Sequence, residues 1–389
     1  MKNRILFALP GLHRVARGAE AAFEQIAAGL CGEGFDVTLI GAGSPLPDRP
    51  YAYLQGRLTP RERFRRWPSF PPLRSEYRWE ELTFAPSLWR LYDPAAYDLT
   101  VTCSYPFVNW LLRAKHRAKR HPLHVFVTEN GDWPACAGTR EYRWFGCDGL
   151  VCTNPEYLAR NQAKYRSVLI PNGVDTDRFT PGVGDRAAFG LPPSVPVVCM
   201  VSALIPSKFP MDGIRAVAAL PEAHLLLGGD GPLKEPCDAL GRELLGDRYH
   251  RVTVPMSRMP SLYRCGDVFM HLSRDEAFGN IYIEASACGV PVVAHDTPVT
   301  RWILGEQGHF ADTSDADALV RLLRSVLADT ATAACVRDAY GGGSGGGRDA
   351  RGPRDPAVRA QAAHRAIAER FAWPVVCRQY ATFFRELLA

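Results

Sequence analysis

The chain has 389 residues, beyond the ~250–300 at which single cores stop growing, so two domains are expected and a lone small module is excluded. Hydrophobic residues make up 47% and charged residues 22%, which rules out the core-poor composition of disordered chains. The net charge of +5 is too small to indicate nucleic acid by itself, so the position of the charge has to decide.

The start, MKNRILFALPG, is basic, but its apolar stretch from Ile5 to Leu9 stops at Pro10-Gly11 and is too short for a signal peptide. No run approaches the ~20 apolar residues of a membrane span. Short β-rich runs then alternate with helical segments, the pattern of βαβ units and parallel sheets. Strands are expected at Arg4–Leu9, Asp36–Ile40, Leu99–Cys103, His124–Thr128, Leu150–Thr153 and Val168–Ile170. Between the first two, Ala22, Phe23, Ile26, Ala27 and Leu30 form one helical face over Ala19–Leu30, closed by Gly32 and Gly34.

Residues 57–78 interrupt this pattern, interleaving Arg57, Arg61, Arg63, Arg65, Arg66, Arg74 and Arg78 with Phe64, Trp67, Phe70 and Tyr77. The insertion is too Pro-rich for one regular element. Its composition fits either a solvated loop or a surface that touches an anionic membrane or acceptor, and Lys115–Arg120 adds to the same basic character. A Pro- and Gly-rich stretch, 176–195, reads as a linker after a first domain spanning 1–175. A second strand set follows at Val195–Val201, His224–Leu227, Arg251–Val254, Val268–Leu272 and Pro291–Ala294, within a second domain at 196–357. Gly341–Gly347 is a flexible linker by composition and resembles an engineered loop replacement, so no functional residue is expected in it. Residues 358–389 read as two amphipathic helices split near Trp373-Pro374.

Eleven cysteines are scattered singly without a C-x-x-C pair; their odd number argues for free thiols and a reducing cytoplasm rather than disulfides or zinc. Asp175-Thr176-Asp177 and Asp315-Ala316-Asp317 read as a connection and a helix start, so no metal site is expected. Neither a P-loop nor a G-x-G-x-x-G after the first strand is present, which removes the usual signals for NTP hydrolysis and NAD chemistry.

The most informative segment is SRDEAFGNIYIEASACGVPVV. Were residues 276–284 all helical, Glu276 and Glu284 would be separated by about 12 Å of rise. A loop before the helix lets both carboxylates face one side, with amides around Gly279, Asn280 and Ile281 at a helix N-terminus suited to a diphosphate. Taken on its own, the spacing fits two surface glutamates flanking an ordinary αβ turn better; the flanking sequence reverses that preference.

In its flanking sequence this segment resembles the E-x7-E region of family-4 retaining glycosyltransferases (glycosyl transferases group 1). Their GT-B architecture is α/β, two facing Rossmann-like domains with parallel sheets and an interdomain cleft. The further anchors are LPGLHRVARGAE (9–20), LIPNGVDTDRF (169–179), VSALIPSKFPMDGIRAVAAL (201–220), LLLGGDGP (225–232) and ACGVPVVA (287–294). The resemblance implies transfer of a sugar with retention, from a nucleotide diphosphate sugar, UDP-sugar first and GDP-sugar second, to an acceptor hydroxyl on a glycan or lipid-linked precursor. No separate cofactor is implied. Glu276 and Lys208 would be catalytic. Glu284, Phe278, Gly279, Asn280, Ile281, Gly18, Arg17, Gly11 and Gly229 would bind the donor, and Asn130, Glu129, Asp132 and His13 the sugar or acceptor. The C-terminal helices would cross back to the first domain.

The chain departs from its relatives in three places. Ala203 stands where many carry Arg, Arg17-Gly18 where many carry Gly-Gly, and Asn130 where many carry a histidine; Asn can bind a hydroxyl but cannot shuttle a proton. A nucleotide-sugar epimerase or hydrolase of the same fold, or a non-catalytic nucleotide-sugar-binding scaffold, stays open on sequence alone.

Overall fold

The computed structural model describes residues 2–15, 17–114, 121–339, 348–349, 352–353 and 355–389. The basic run Lys115–Arg120 and the glycine tract Gly341–Gly347 lie outside the described residues. The chain forms two compact units, Met1–Gly173 with Trp373–Ala389, and Val174–Ala372.

In the first unit seven strands form one parallel sheet: β1 Arg4–Ala8, β2 Asp36–Gly41, β3 Ala52–Gln55, β4 Leu99–Thr102, β5 Leu123–Val127, β6 Gly149–Cys152 and β7 Ser167–Leu169. Their order is β3-β2-β1-β4-β5-β6-β7. Strands β4 and β6 are buried at every position, as central strands of a sheet covered on both faces are. The unexpected strand is β3, a half-exposed edge whose AYLQ carries no periodic signal. Helix Gly18–Gly32 packs Ala22, Phe23, Ile26, Ala27 and Leu30 into the core beneath β1 and β2.

The second unit repeats the plan with β8 Val197–Val201, β9 His224–Gly228, β10 Tyr249–Val252, β11 Val268–His271, β12 Val292–His295 and β13 Gly308–Ala311. All pair in parallel in the order β10-β9-β8-β11-β12-β13. The sequence did not signal β13, another edge strand that is only half-buried.

Two organisational expectations change. Segment 176–195 is packed structure of the second unit rather than a free linker: Phe179, Phe189 and Leu191 are buried in its core, and Arg186 is tied to Asp267 at 2.8 Å. The C-terminal helices part company. Helix Pro356–Phe371 places Ile367 and Phe371 in the second unit's core. Helix Trp373–Leu388 places Val376, Tyr380, Phe383 and Phe384 in the first. There Gly29 is required, because a Cβ would lie 2.2 Å from Cys377 Sγ.

Residues 57–78 are also more ordered than a loop. Arg61–Phe64 forms a 3-10 turn and helix Glu76–Leu91 begins inside the segment. Three of its arginines are ion-paired within the fold: Arg61 binds Glu80, and Arg74 and Arg78 bind Glu141. Ten of the eleven cysteines are free thiols in the described structure.

Candidate functional site

In open parallel sheets, ligands bind beyond the carboxyl ends of the strands where the order reverses. In the second unit that reversal lies between β8 and β11, and the loops after these two strands carry Lys208 and Glu276. Lys208 ends a 3-10 turn, Pro206–Lys208, and is followed by Phe209 with φ of 51°. A non-glycine residue in the left-handed region is sparsely populated and costs about 1–3 kcal/mol, so the surrounding structure holds this bend against local preference.

Lys208 Nζ pairs directly with Glu276 Oε1. The same oxygen lies 2.8 Å from Nε2 of His271, the last residue of β11. His271 is fully buried, and burial lowers its pKa against the opposing pull of Glu276. Facing a carboxylate oxygen, its Nε2–H is the donor of this bond, and Lys208 brings a formal positive charge to the same oxygen. Burial disfavours the charge on Glu276, but the His271 bond and Lys208 prevail and hold the carboxyl at about 2. Glu276 is thus an acceptor-only carboxylate, suited to sugar hydroxyls. Arg274, two residues before it, places its guanidinium 4.3 Å from the ring of Phe209, the residue that follows Lys208.

Glu276 lies in a loop and Glu284 inside helix Asn280–Ala287. The helix is entered through Gly279 at φ 83°, where a Cβ would meet the Tyr282 ring at 2.6 Å. Only glycine fits there. Glu284 is buried and accepts from the Tyr263 hydroxyl at 2.8 Å; burial raises its pKa and the tyrosine opposes that rise. Phe278 is a core residue, edge-on to Trp302 and Phe371, so only its backbone can reach a ligand. Ile281 packs partly against the same core. Gly229, after β9, has φ of 137° and would bring a Cβ to 1.9 Å from the Ser202 carbonyl oxygen. Its carbonyl accepts from Arg251 at 2.7 Å and Thr253 at 3.0 Å. Sequence reasoning missed His271 and Tyr263. The position of His271 at the end of a strand, five residues before Glu276, was a usable signal; Tyr263 had none.

The first unit reverses between β1 and β4. The loop after β1 brings Gly11 against Glu20, whose Oε1 would lie 1.9 Å from a Cβ at Gly11. Glu20 is buried, and burial raises its pKa. Arg17, just before Gly18 at the helix start, lies 3.8 Å from Glu20 and 3.9 Å from Glu80. Its Nη1 is buried without a hydrogen bond. Glu80, itself fully buried, also receives Arg14 and Arg61 at 2.9 Å each. Arg17 therefore belongs to a network of three arginines and three glutamates, the third being Glu62, 3.9 Å from Arg14.

After β5, Glu129 accepts from Asn172 at 2.8 Å, while its other oxygen is buried without a partner. Burial raises this carboxyl to about 7 against the Asn172 bond. Asn130 is exposed beside it and approaches Cys103 Sγ at 3.9 Å. Two further residues expected at the site have partners within the fold. Asp132 is buried, gripped by both Arg160 nitrogens at 3.0 and 2.8 Å and by Asn161 at 2.8 Å. His13 stacks on Tyr53 at 4.0 Å and bonds Tyr51 and Ser44, so its two ring nitrogens are already engaged.

Among the described residues no group of three His, Cys, Asp or Glu side chains is arranged to hold a metal ion. The carboxylates of Asp175 and Asp315 accept backbone amides of their own turns.

The sequence model of glycosyl transferases group 1 matches residues 184–339, and that of Glycosyltransferase Family 4 matches 16–178. The chain belongs to this family, with the GT-B type of fold. Among its relatives, the GDP-mannose-dependent alpha-(1-6)-phosphatidylinositol monomannoside mannosyltransferase of Mycolicibacterium smegmatis is 35% identical over 43% of this chain and 48% of its own length. The chain spans less than two thirds of the first curated relatives it matches. Similar folds include sucrose-phosphate synthase from Thermosynechococcus elongatus, with a TM-score of 0.75, 19% identity and 99% of each chain covered. Anabaena Alr3699/HepE in complex with UDP-glucose follows at 0.69, with 17% identity and 98% and 99% of the two chains covered.

Proposed function

We propose that the chain is a retaining, metal-independent glycosyltransferase that binds a nucleotide diphosphate sugar on its second unit and transfers the sugar to an acceptor hydroxyl. The observation that carries this reading is the Lys208–Glu276–His271 cluster after the two strands at the reversal point, with Glu284 on the helix that follows. Glu276, kept ionised, accepts hydrogen bonds from sugar hydroxyls. Glu284, steadied by Tyr263, takes the ribose hydroxyls. Lys208 exchanges its bond to Glu276 for the diphosphate and stabilises the charge that develops as it departs, and the amides around Gly279 add their dipoles. These groups supply the positive charge the leaving group needs, so the route calls for no metal. The departing diphosphate oxygen takes the acceptor proton on the face the donor leaves, which keeps the anomeric configuration without an enzymic nucleophile.

The name of the 35%-identical relative favours GDP-mannose as the first donor to test, with UDP-glucose second, the reverse of the order expected from sequence. It also favours a lipid-linked acceptor. In the first unit, Glu129 and exposed Asn130 are assigned to hydroxyl recognition. The test is donor turnover, with and without chelator, over a panel of polyol and glycolipid acceptors, with product configuration read by NMR. A retained anomer formed only with acceptor supports the reading. Free sugar or an epimerised donor without acceptor marks the hydrolase or epimerase alternative, and binding without turnover marks a scaffold.

A further inference from the structure

The first unit carries an aromatic and basic surface that the transfer chemistry does not use. Trp67 and Phe70 are 52% and 47% exposed, an unusual state for large aromatic side chains. They are displayed rather than loose. Trp67 packs edge-on against Phe64 at 5.0 Å and Trp79 at 4.8 Å, and Phe70 against Trp79 at 6.0 Å. Phe64 is buried and anchors the group. The loop is stapled by the Trp79 indole N–H to the Pro68 carbonyl at 3.2 Å, the Phe70 amide to the Leu73 carbonyl at 3.2 Å, and the Ser69 hydroxyl to the Arg74 carbonyl at 3.0 Å.

Charge around this patch divides cleanly. Arg61, Arg74 and Arg78 are consumed by Glu80 and Glu141. Arg63, Arg65 and Arg66 are exposed, directly precede Trp67, and have no ion pair among the described residues. Three uncompensated guanidiniums next to two protruding rings match an interface with anionic headgroups above and acyl chains below. No helix among the described residues is long and apolar enough to cross a membrane, so the contact would be peripheral.

We propose that Arg63, Arg65, Arg66, Trp67 and Phe70 form a docking surface for an anionic phospholipid bilayer, with the arginines on the headgroups and the two rings in the interfacial layer. The contact is independent of the transfer reaction and is measured without donor or acceptor. The experiment is flotation of the full chain with vesicles of phosphatidylcholine alone or with 30 mol% phosphatidylglycerol, at low and high salt. Binding should need the anionic lipid and weaken at least tenfold at high salt. Replacing the three arginines together by Gln should weaken it roughly a hundredfold, and Trp67→Ala with Phe70→Ala about tenfold. A control removes the same charge from exposed positions of the second unit, Arg215→Gln, Arg242→Gln and Arg258→Gln, and should change binding less than twofold. Equal binding to neutral vesicles, equal losses in the control, or no vesicle binding at all would overturn the proposal. So would a change of oligomeric state on Trp67→Ala without lipid, which would make the patch a protein interface.

Discussion

Glu276→Gln removes one charge from a cluster whose other members are fixed. The Glu276 carboxyl is held at about 2 against its ordinary 4.5, which at about 1.4 kcal/mol per pKa unit makes its ionised form worth about 3 kcal/mol to the folded state. Because the folded value is depressed, this contribution is fully present above pH 4.5 and is lost as pH falls through 2. At pH 3 about half should remain. Gln keeps an acceptor for the His271 N–H but leaves the Lys208 ammonium without its counter-charge. Urea unfolding of wild type and variant at pH 7 should therefore differ by up to about 3 kcal/mol, and the gap should narrow to about half that at pH 3. Sugar transfer should fall about 10²–10³-fold, as when one group aimed at developing charge is lost, while affinity for the bare nucleotide diphosphate stays within about threefold, because Lys208 is intact. Identical stability at pH 7, or a gap that does not narrow in acid, would refute the cluster's energetics; equal losses of transfer and nucleotide affinity would refute the division of roles.

Three more perturbations have defined outcomes. Tyr263→Phe deletes the hydrogen bond to buried Glu284 and should cost about 1–3 kcal/mol of stability and weaken nucleotide binding, both read by thermal shift with and without nucleotide. Burial raises Glu129 to about 7, so the folded state binds the extra proton between pH 4.5 and 7 and stability falls as pH rises across that window; Glu129→Gln should remove the slope, gaining up to about 3 kcal/mol at pH 8 and nothing at pH 4. Gly279→Ala forces a Cβ into the Tyr282 ring in a left-handed conformation and should lower stability by more than about 1 kcal/mol and abolish nucleotide binding, checked by circular dichroism and calorimetry.

What the sequence disclosed about the site was whatever lies close together along the chain. Glu276, Gly279 and Glu284 fall within nine residues, and a strand, a glycine and a short helix explain their juxtaposition. Lys208 required the family resemblance, because 68 residues separate it from Glu276 and only the pairing of β8 with β11 joins them. His271 and Tyr263 were not seen: a buried histidine at a strand end and a tyrosine on a short helix look like core residues until the carboxylates they serve are located. The internal partners of Asp132 and His13, Arg160 and the Tyr51–Tyr53 pair, were not legible for the complementary reason, since they lie on other elements of the chain. In the arginine-rich segment, composition could not tell Arg61, Arg74 and Arg78, which are paired with carboxylates, from the exposed Arg63, Arg65 and Arg66, because the deciding carboxylates, Glu80 and Glu141, lie further along the chain. The edge strands β3 and β13 escaped because half-buried edges lack the continuous apolar run of central strands.

In the proposed function the second unit grips a nucleotide diphosphate through Lys208 and Glu284. Calorimetric titration of GDP and UDP into wild type, Lys208→Met and Glu284→Gln tests it most directly. One of the two nucleotides should bind the wild type and bind each variant at least tenfold more weakly; failure of both to bind, or affinities in the variants equal to wild type, would contradict the account.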